Sequence, residues 1–243
     1  LLCDHVMKFL LAFLFIAVLV AELIISRIQK IKLYHFQETI QNIVVGAFSF
    51  SIDMGLSLLV YPLWQWLYLY QHPLQTAQNT AWNFCLLFLL VDFMEYWFHR
   101  LSHQVHLLWT AHVVHHQARH FNLSVGFRTS FLIPVFNLFF YLLFPVLGFS
   151  PENLVVIILI QGAYQLLIHT RIAGKLGWLE YVFVTPAAHR VHHGKNEQYL
   201  DKNYGKVFII WDRLFKTYCT ETEAVEYGIT DQKPHGDMRD VFF

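Results

Sequence analysis

The chain has 243 residues, of which 56% are hydrophobic and 14% charged, with zero net charge. Average globular usage is about 25% charged, and the mean hydropathy is +0.41, so the balance is that of a membrane protein of one domain. No basic run is long enough to suggest a nucleic acid partner, and Cys3, Cys85 and Cys219 are too scattered for a disulfide framework or a Cys-rich zinc motif.

The first apolar run is "FLLAFLFIAVLVAELIIS", Phe9 to Ser26. About 20 apolar residues cross a bilayer as a helix. The run is longer than the usual signal-peptide core and no small-residue cleavage site follows it, so a span is expected. Glu22 near its end is expected at the interface. A second run, Ile43 to Tyr70, contains Asp53 and a kinking Pro62. Asp53 is expected to pair with a neighbouring helix, because an acid in a span is costly alone. The third run is Trp82 to Phe98. The fourth and fifth, Phe131 to Leu147 and Leu154 to Ile168, flank a "GFSP" turn at Gly148 to Pro151 and read as a membrane hairpin.

Basic residues alternate between loops in the way spans require. Arg27, Lys30 and Lys32 follow the first run, and "QHPLQTAQNT" after the second has no charge. Arg100, Arg119 and Arg128 follow the third, and Arg171, Lys175, Arg190 and Lys195 follow the fifth. The positive-inside rule then places the histidine-rich segments and the C-terminus in the cytoplasm. The expected architecture is an all-α membrane protein with about four transmembrane helices plus a hairpin. Residues 1–98 are mainly spans, 99–128 carry two histidine motifs, and 129–168 form the hairpin. Residues 169–243 form a cytosolic helical cap, with "KVFIIWDRLFKTY" as one amphipathic piece and a loosely ordered tail from Glu221.

Fifteen histidines are present, eleven of them between His99 and His193. His99 and His103 are four apart and share a helix face. His112, His115 and His116 fall at i, i+3, i+4, and so do His189, His192 and His193. Scattered surface histidines near headgroups do not repeat helical spacing in this way. Eight imidazoles exceed the four to six ligands of one ion and suit two metals with about four nitrogens each. Imidazole suits Zn, Cu, Fe and Ni alike, so spacing leaves the metal open and a structural zinc site remains an alternative.

His169, in "LLIHTR", is a further ligand, a supporting group or a packed histidine. His120, four past His116, lies on the same face if the helix continues. His106 reads as surface. Asp92, seven residues before His99, is expected either to orient a ligating imidazole, since such rings hand their second N–H to a carboxylate or carbonyl, or to make a plain interhelical hydrogen bond. Asn203 and Tyr204 are expected to hydrogen-bond near the ligands, and Trp211 and Phe215 to pack.

The stretches "DFMEYWFHRLSH", "LWTAHVVHHQARHFNLSVGFRTS" and "TPAAHRVHHGKNEQYLDKNYGKVFIIWDRLFKTY" resemble the fatty acid hydroxylase/sterol desaturase superfamily of membrane enzymes, in the order and spacing of "HRLSH", "HVVHH" and "HRVHH". The resemblance covers roughly Asp92 to Tyr218. It implies two irons held by the eight motif histidines, and O2-dependent hydroxylation, desaturation or ether cleavage of a membrane lipid. It also implies a reductant, either tetrahydrobiopterin or a cytochrome or ferredoxin chain as electron-donor partner. One pterin-dependent branch has an acid directly after the first motif. Here that position is the neutral Gln104, a candidate cofactor-binding residue that puts the pterin link in question. Zinc in a purified sample would not exclude iron, because zinc outcompetes Fe(II) for such sites. A zinc-dependent membrane hydrolase would usually carry fewer histidines and an acid as base. A metal transporter would string ionisable groups along the bilayer midplane, where only Asp53 is clearly deep.

Overall fold

The computed structural model describes residues 17–70 and 80–230. These residues are helical, and their only β-pairing is at isolated bridges such as Phe183 with Phe208. Residues 17–28 are helical and are called α1. The expected first span, Phe9 to Ser26, lies partly outside the described residues, as do "QHPLQTAQN" and Cys3. Then follow α2 (Phe36–Tyr70), α3 (Ala81–Gln104), α4 (His106–His116), α5 (Ile133–Tyr141), α6 (Leu143–Val146), α7 (Pro151–Ile168), α8 (Pro186–His192) and α9 (Ile210–Leu214).

Three of these helices, α2, α3 and α7, are long and apolar enough to cross a membrane. At 1.5 Å per residue the 35 residues of α2 extend about 52 Å, well beyond a hydrocarbon layer of about 30 Å. This helix starts seven residues before the expected Ile43. Its first turn carries Glu38, whose carboxylate takes the backbone N–H groups of Arg119 and His120 at 2.8 and 2.9 Å. Asp53 does not pair into a neighbouring helix. It is exposed, one turn beyond Ser49, where the 123–130 segment stops covering α2. Ser49 Oγ makes the last such contact, donating to the Ser130 carbonyl at 3.1 Å.

The fourth expected run is broken into α5 and α6. Pro145 lacks an N–H and its ring crowds the carbonyl one turn earlier, which favours the break there, whereas α2 runs on through Pro62. The pieces pack with Trp64, Leu87, Val91, Leu154 and Ile157 into an apolar core between α2, α3 and α7. At Gly46 a Cβ would sit 2.5 Å from the Phe127 carbonyl oxygen. Its absence lets α2 lie directly against the 3-10 helix Leu123–Phe127.

Beyond α7 the chain wraps in short pieces. Only Ile210–Leu214 of the expected amphipathic piece is helical. Val207 and Phe208 instead give their backbone N–H groups to the Asp92 carboxylate, at 2.8 and 3.2 Å, and the Val207 carbonyl accepts from Val184 at 2.8 Å. Those bonds pull 206–208 out of a helix. The tail is also better held than expected as far as residue 230. Glu221 pairs with Arg190, and Tyr227 stacks on Phe121 with ring centroids 4.8 Å apart. Residues 231–243 lie outside the described set.

Candidate metal centre

The site is assembled by helix ends. The first motif occupies the last turns of α3, where i, i+4 spacing puts His99 and His103 on one side. Val105 adopts an extended conformation (φ −102°, ψ 117°) and breaks the helix, which turns α4 back across it. Ring centroids of His99 and His112 are then 4.7 Å apart. Thr185 caps α8 by accepting from the Ala188 N–H, with Pro186 in the first turn. This places His189, His192 and His193 at the other end of that short helix.

Nine imidazoles converge. His99, His103, His112, His116 and His192 form one cluster, and His115, His169, His189 and His193 the other, with the facing nitrogens of each within 4.8 Å of one another. Successive residues of a helix point about 100° apart, so the adjacent pairs His115–His116 and His192–His193 cannot serve one point. Each His-x-x-His-His motif therefore gives its i, i+4 pair to one cluster and its i+3 member to the other. His169, at the C-terminal end of α7, is the ninth member.

The hydrogen-bond geometry fixes the rings. His99 Nδ1 donates to the Tyr204 carbonyl (2.8 Å) and His192 Nδ1 to Lys202 (2.9 Å). His115 Nδ1 donates to Arg128 (3.0 Å) and His169 Nδ1 to Gln165 (2.6 Å). A carbonyl only accepts, so each Nδ1 carries the proton and each Nε2 offers a bare lone pair. His115 Nε2 and His169 Nε2 nevertheless face each other at 3.1 Å. Other facing Nε2 pairs are 2.8 to 3.2 Å apart, including His99–His112, His116–His192 and His169–His189. Two lone pairs so close repel unless a cation lies between them. Two nitrogens each about 2.1 Å from one ion and at right angles would be about 3.0 Å apart. The buried His103 Nε2 has no hydrogen-bond partner, another donor atom consistent with a cation.

A proton is a poor substitute for that cation. Burial holds His112, His115, His116, His189, His192 and His193 well below the ordinary imidazole range, and neighbouring imidazoles add to the effect. Burial likewise lowers His169 to about 4. The rings are neutral near pH 7 and ready to bind metal.

Other residues hold this arrangement. Asp212 is fully buried and accepts from the Tyr204 and Gly205 N–H groups (2.7 and 2.8 Å) and from Thr217 Oγ1 (2.7 Å). It thereby presents the Tyr204 carbonyl to His99. A Cβ at Gly205 would meet the Phe208 carbonyl oxygen at 2.7 Å and Asp212 Oδ2 at 2.9 Å, so only glycine fits there. Asn203 sits at φ +57°, a conformation Asn tolerates. Its amide donates to the Ala188 and Cys219 carbonyls (3.0 and 2.7 Å), clamping this loop to α8. The Tyr204 hydroxyl donates to Asp201, whose Oδ1 is 3.6 Å from His103 Nδ1.

Arg128, buried, donates to the Val114 carbonyl (2.7 Å), Asn42 (3.0 Å) and Gln117 (3.1 Å). This bracing fixes the carbonyl that orients His115. Arg190 grips the Thr170 and Ala173 carbonyls beside His169. Glu22 is buried and joins α1 to Tyr34, the Leu123 N–H and Thr170.

Two expected roles change. Asp92 orients no imidazole. Its carboxylate accepts from Val207, Phe208 and Trp211 Nε1 (2.8 Å), tying the C-terminal segment to α3. His120 turns away from the clusters because α4 ends at His116. It bonds Glu38 at 2.8 Å and stacks on His35. Trp211 thus anchors as well as packs, while Phe215 stacks on Tyr96. His106 is exposed, as expected.

The two clusters differ in access. Phe121 lies over His193 and His169 with centroids 4.9 and 5.6 Å away, and Tyr227 stacks on its outer face. The five-histidine cluster borders a cavity of about 300 Å³, lined among others by His103, Gln104, Trp109, His116, His192 and Asp201, and of the four-histidine cluster only His193 reaches it.

A helical chain with membrane-length helices and two all-imidazole clusters at their ends defines a class of membrane metalloprotein. The chain belongs to the fatty acid hydroxylase family, whose profile matches residues 84–217. It is 36% identical to human alkylglycerol monooxygenase over 223 residues, covering 89% of this chain and 48% of the relative. The zebrafish (Danio rerio) alkylglycerol monooxygenase is 42% identical over 159 residues, covering 65% of this chain and 35% of the relative. The ornithine lipid hydroxylase OlsE of Rhizobium tropici is 27% identical over 204 residues, covering 79% and 58%. The chain spans about half the length of the alkylglycerol monooxygenases it matches most fully. No solved structure matches it significantly.

Proposed function

We propose that this chain carries the oxygenase core of a membrane enzyme that oxidises a lipid with O2 at a pair of irons. One iron is held by His99, His103, His112, His116 and His192, and the other by His115, His169, His189 and His193. The single observation behind this reading is the facing of His115 and His169 through unprotonated nitrogens at 3.1 Å. The donor set of both clusters is imidazole only. Imidazole suits iron as well as zinc, and membership of the fatty acid hydroxylase family, with relatives named as monooxygenases, favours the redox-active ion. Bound there, the metal pair supplies O2 activation strong enough to attack an unactivated C–H bond.

The protein's own share is positional. Carbonyls of Tyr204, Lys202, Arg128 and Gln165 hold four rings in one tautomer. Phe121, backed by Tyr227, covers one side of the four-histidine cluster. The cavity beside Gln104 is the proposed approach for an external reductant, since no residue here supplies electrons. The alkylglycerol monooxygenase and ornithine lipid hydroxylase relatives are both named for lipids, which supports a polar membrane lipid as substrate. The basic loops favour the cytoplasmic side for the site and the C-terminus. The test is comparative lipidomics of cells expressing the chain, with and without air. The expected result is an oxygen-dependent lipid that gains one oxygen, loses two hydrogens or releases an aldehyde. An unchanged lipid profile with an iron-loaded protein contradicts the reading.

A further inference from the structure

The segment after His169 is polar enough on average to look wholly aqueous, yet part of it leaves large apolar side chains uncovered. The 3-10 helix Gly177–Tyr181 buries none of its residues. Trp178 and Tyr181 are 71% and 68% exposed, and Leu214 is 65% exposed, with Leu176 and Ile210 beside them. These residues share one surface. The Ile209 N–H donates to the Val182 carbonyl, Phe183 bridges Phe208, and the Arg213 guanidinium lies 5.1 Å from the Tyr181 ring.

The height of this surface along α3 is set by ring contacts. Phe208 meets Phe88, Trp211 meets Phe93, and Phe215 meets both Phe93 and Trp97, with centroids 4.9 to 6.2 Å apart. At 1.5 Å per residue, Phe93 is about 18 Å and Trp97 about 24 Å along α3 from Ala81. Trp82, 76% exposed, marks the near membrane boundary in the way interfacial tryptophans do. With about 30 Å of hydrocarbon, the far boundary falls near the end of α3. Residues packed on Phe93 and Trp97 are therefore still at bilayer depth.

We propose that residues 176–181 and α9 form a membrane-immersed foot whose occupant is the acyl–headgroup boundary of a phospholipid bilayer. Trp178, Tyr181, Ile210 and Leu214 enter the apolar zone. Exposed Lys175, Arg213 and Lys216 meet lipid phosphates, the division of labour that interfacial segments show. The lipid-facing surface of α3 thus continues into the foot without a break. Strand-like bonds at Val182 and Val184 lead from the foot straight into α8, so the foot also sets the depth of the third histidine motif. The proposal rests on α3 being a span.

The test is nitroxide accessibility in the full chain reconstituted in phosphatidylcholine–phosphatidylglycerol vesicles. Labels are placed singly at Trp178→Cys, Leu214→Cys, Leu58→Cys on α2, and Glu197→Cys, with Cys3, Cys85 and Cys219 replaced by serine. Labels at 178 and 214 are expected to collide more with dissolved O2 than with a water-soluble nickel chelate, as at 58 and opposite to 197. Chelate access at 178 and 214 equal to that at 197, with 58 protected, overturns the foot alone. Shielding from both reagents with spin–spin broadening between chains assigns the surface to a second copy and overturns it too. Chelate access at 58 removes the membrane reading itself, and the foot with it.

Discussion

Replacing Asp212 by asparagine isolates the support of the metal site from its ligands. The carboxylate accepts three hydrogen bonds of 2.7 to 2.8 Å and is fully buried. Asparagine keeps one acceptor and turns an NH2 group toward either the Tyr204 or the Gly205 N–H. One lost charged hydrogen bond and one stranded buried N–H together cost about 3 kcal/mol. For a chain of this size that lowers the melting temperature by about 6–12 °C. The Tyr204 carbonyl would shift off His99 Nδ1, and loss of such support weakens metal binding about 10–100-fold. Thr217→Val is the control. It removes a hydroxyl shared by this carboxylate and the Tyr96 hydroxyl without touching the Tyr204 N–H, so it should cost about 2 kcal/mol and leave metal affinity unchanged. Affinity is read by competition with a chromophoric chelator, and stability by thermal unfolding in the same detergent. Wild-type affinity in the folded Asp212→Asn protein refutes the orienting role of the Tyr204 carbonyl.

Other predictions separate the clusters from their surroundings. His169→Ala should lower metal content by one ion per chain, whereas His120→Ala, which loses its Glu38 bond and its His35 stacking, should leave it unchanged; elemental analysis of both variants decides. Gln104→Glu should change the response to candidate reductants, measured by turnover with each donor, more than it changes metal content. Metal-free protein should lose stability as pH falls from about 6.5 toward 4. Unfolded imidazoles protonate near 6.5, while the native rings resist until lower pH, so the unfolded state binds the excess protons. His169 alone, lowered to about 4, accounts for about 3 kcal/mol of that loss. A flat profile from chemical unfolding between those pH values would show that the rings are not buried and neutral.

The sequence carried the histidine geometry because i, i+4 spacing is a property of the helix itself. The division of each doublet between two clusters also follows from helical rotation, but only once the crossing of α4 and α8 is known. His169 had no spacing partner, so nothing local distinguished it from a packed histidine. His120 misled for the opposite reason: its spacing fits the face of α4, but the helix stops at His116. Asp92, Glu22 and Asp212 were hard to read because carboxylates in this fold serve backbone N–H groups, some more than a hundred residues away. Periodicity does not encode such partners. The break between α5 and α6 was signalled by Pro145, within a run whose uniform hydropathy favoured a single span.

The most direct test of the central claim is iron analysis of the full chain isolated without oxygen from iron-supplied cells. The account predicts one tightly held iron for each of the two histidine clusters, with His115→Ala losing one of them. Protein that stays folded yet retains no iron, or binds one ion that His115→Ala leaves in place, would contradict it.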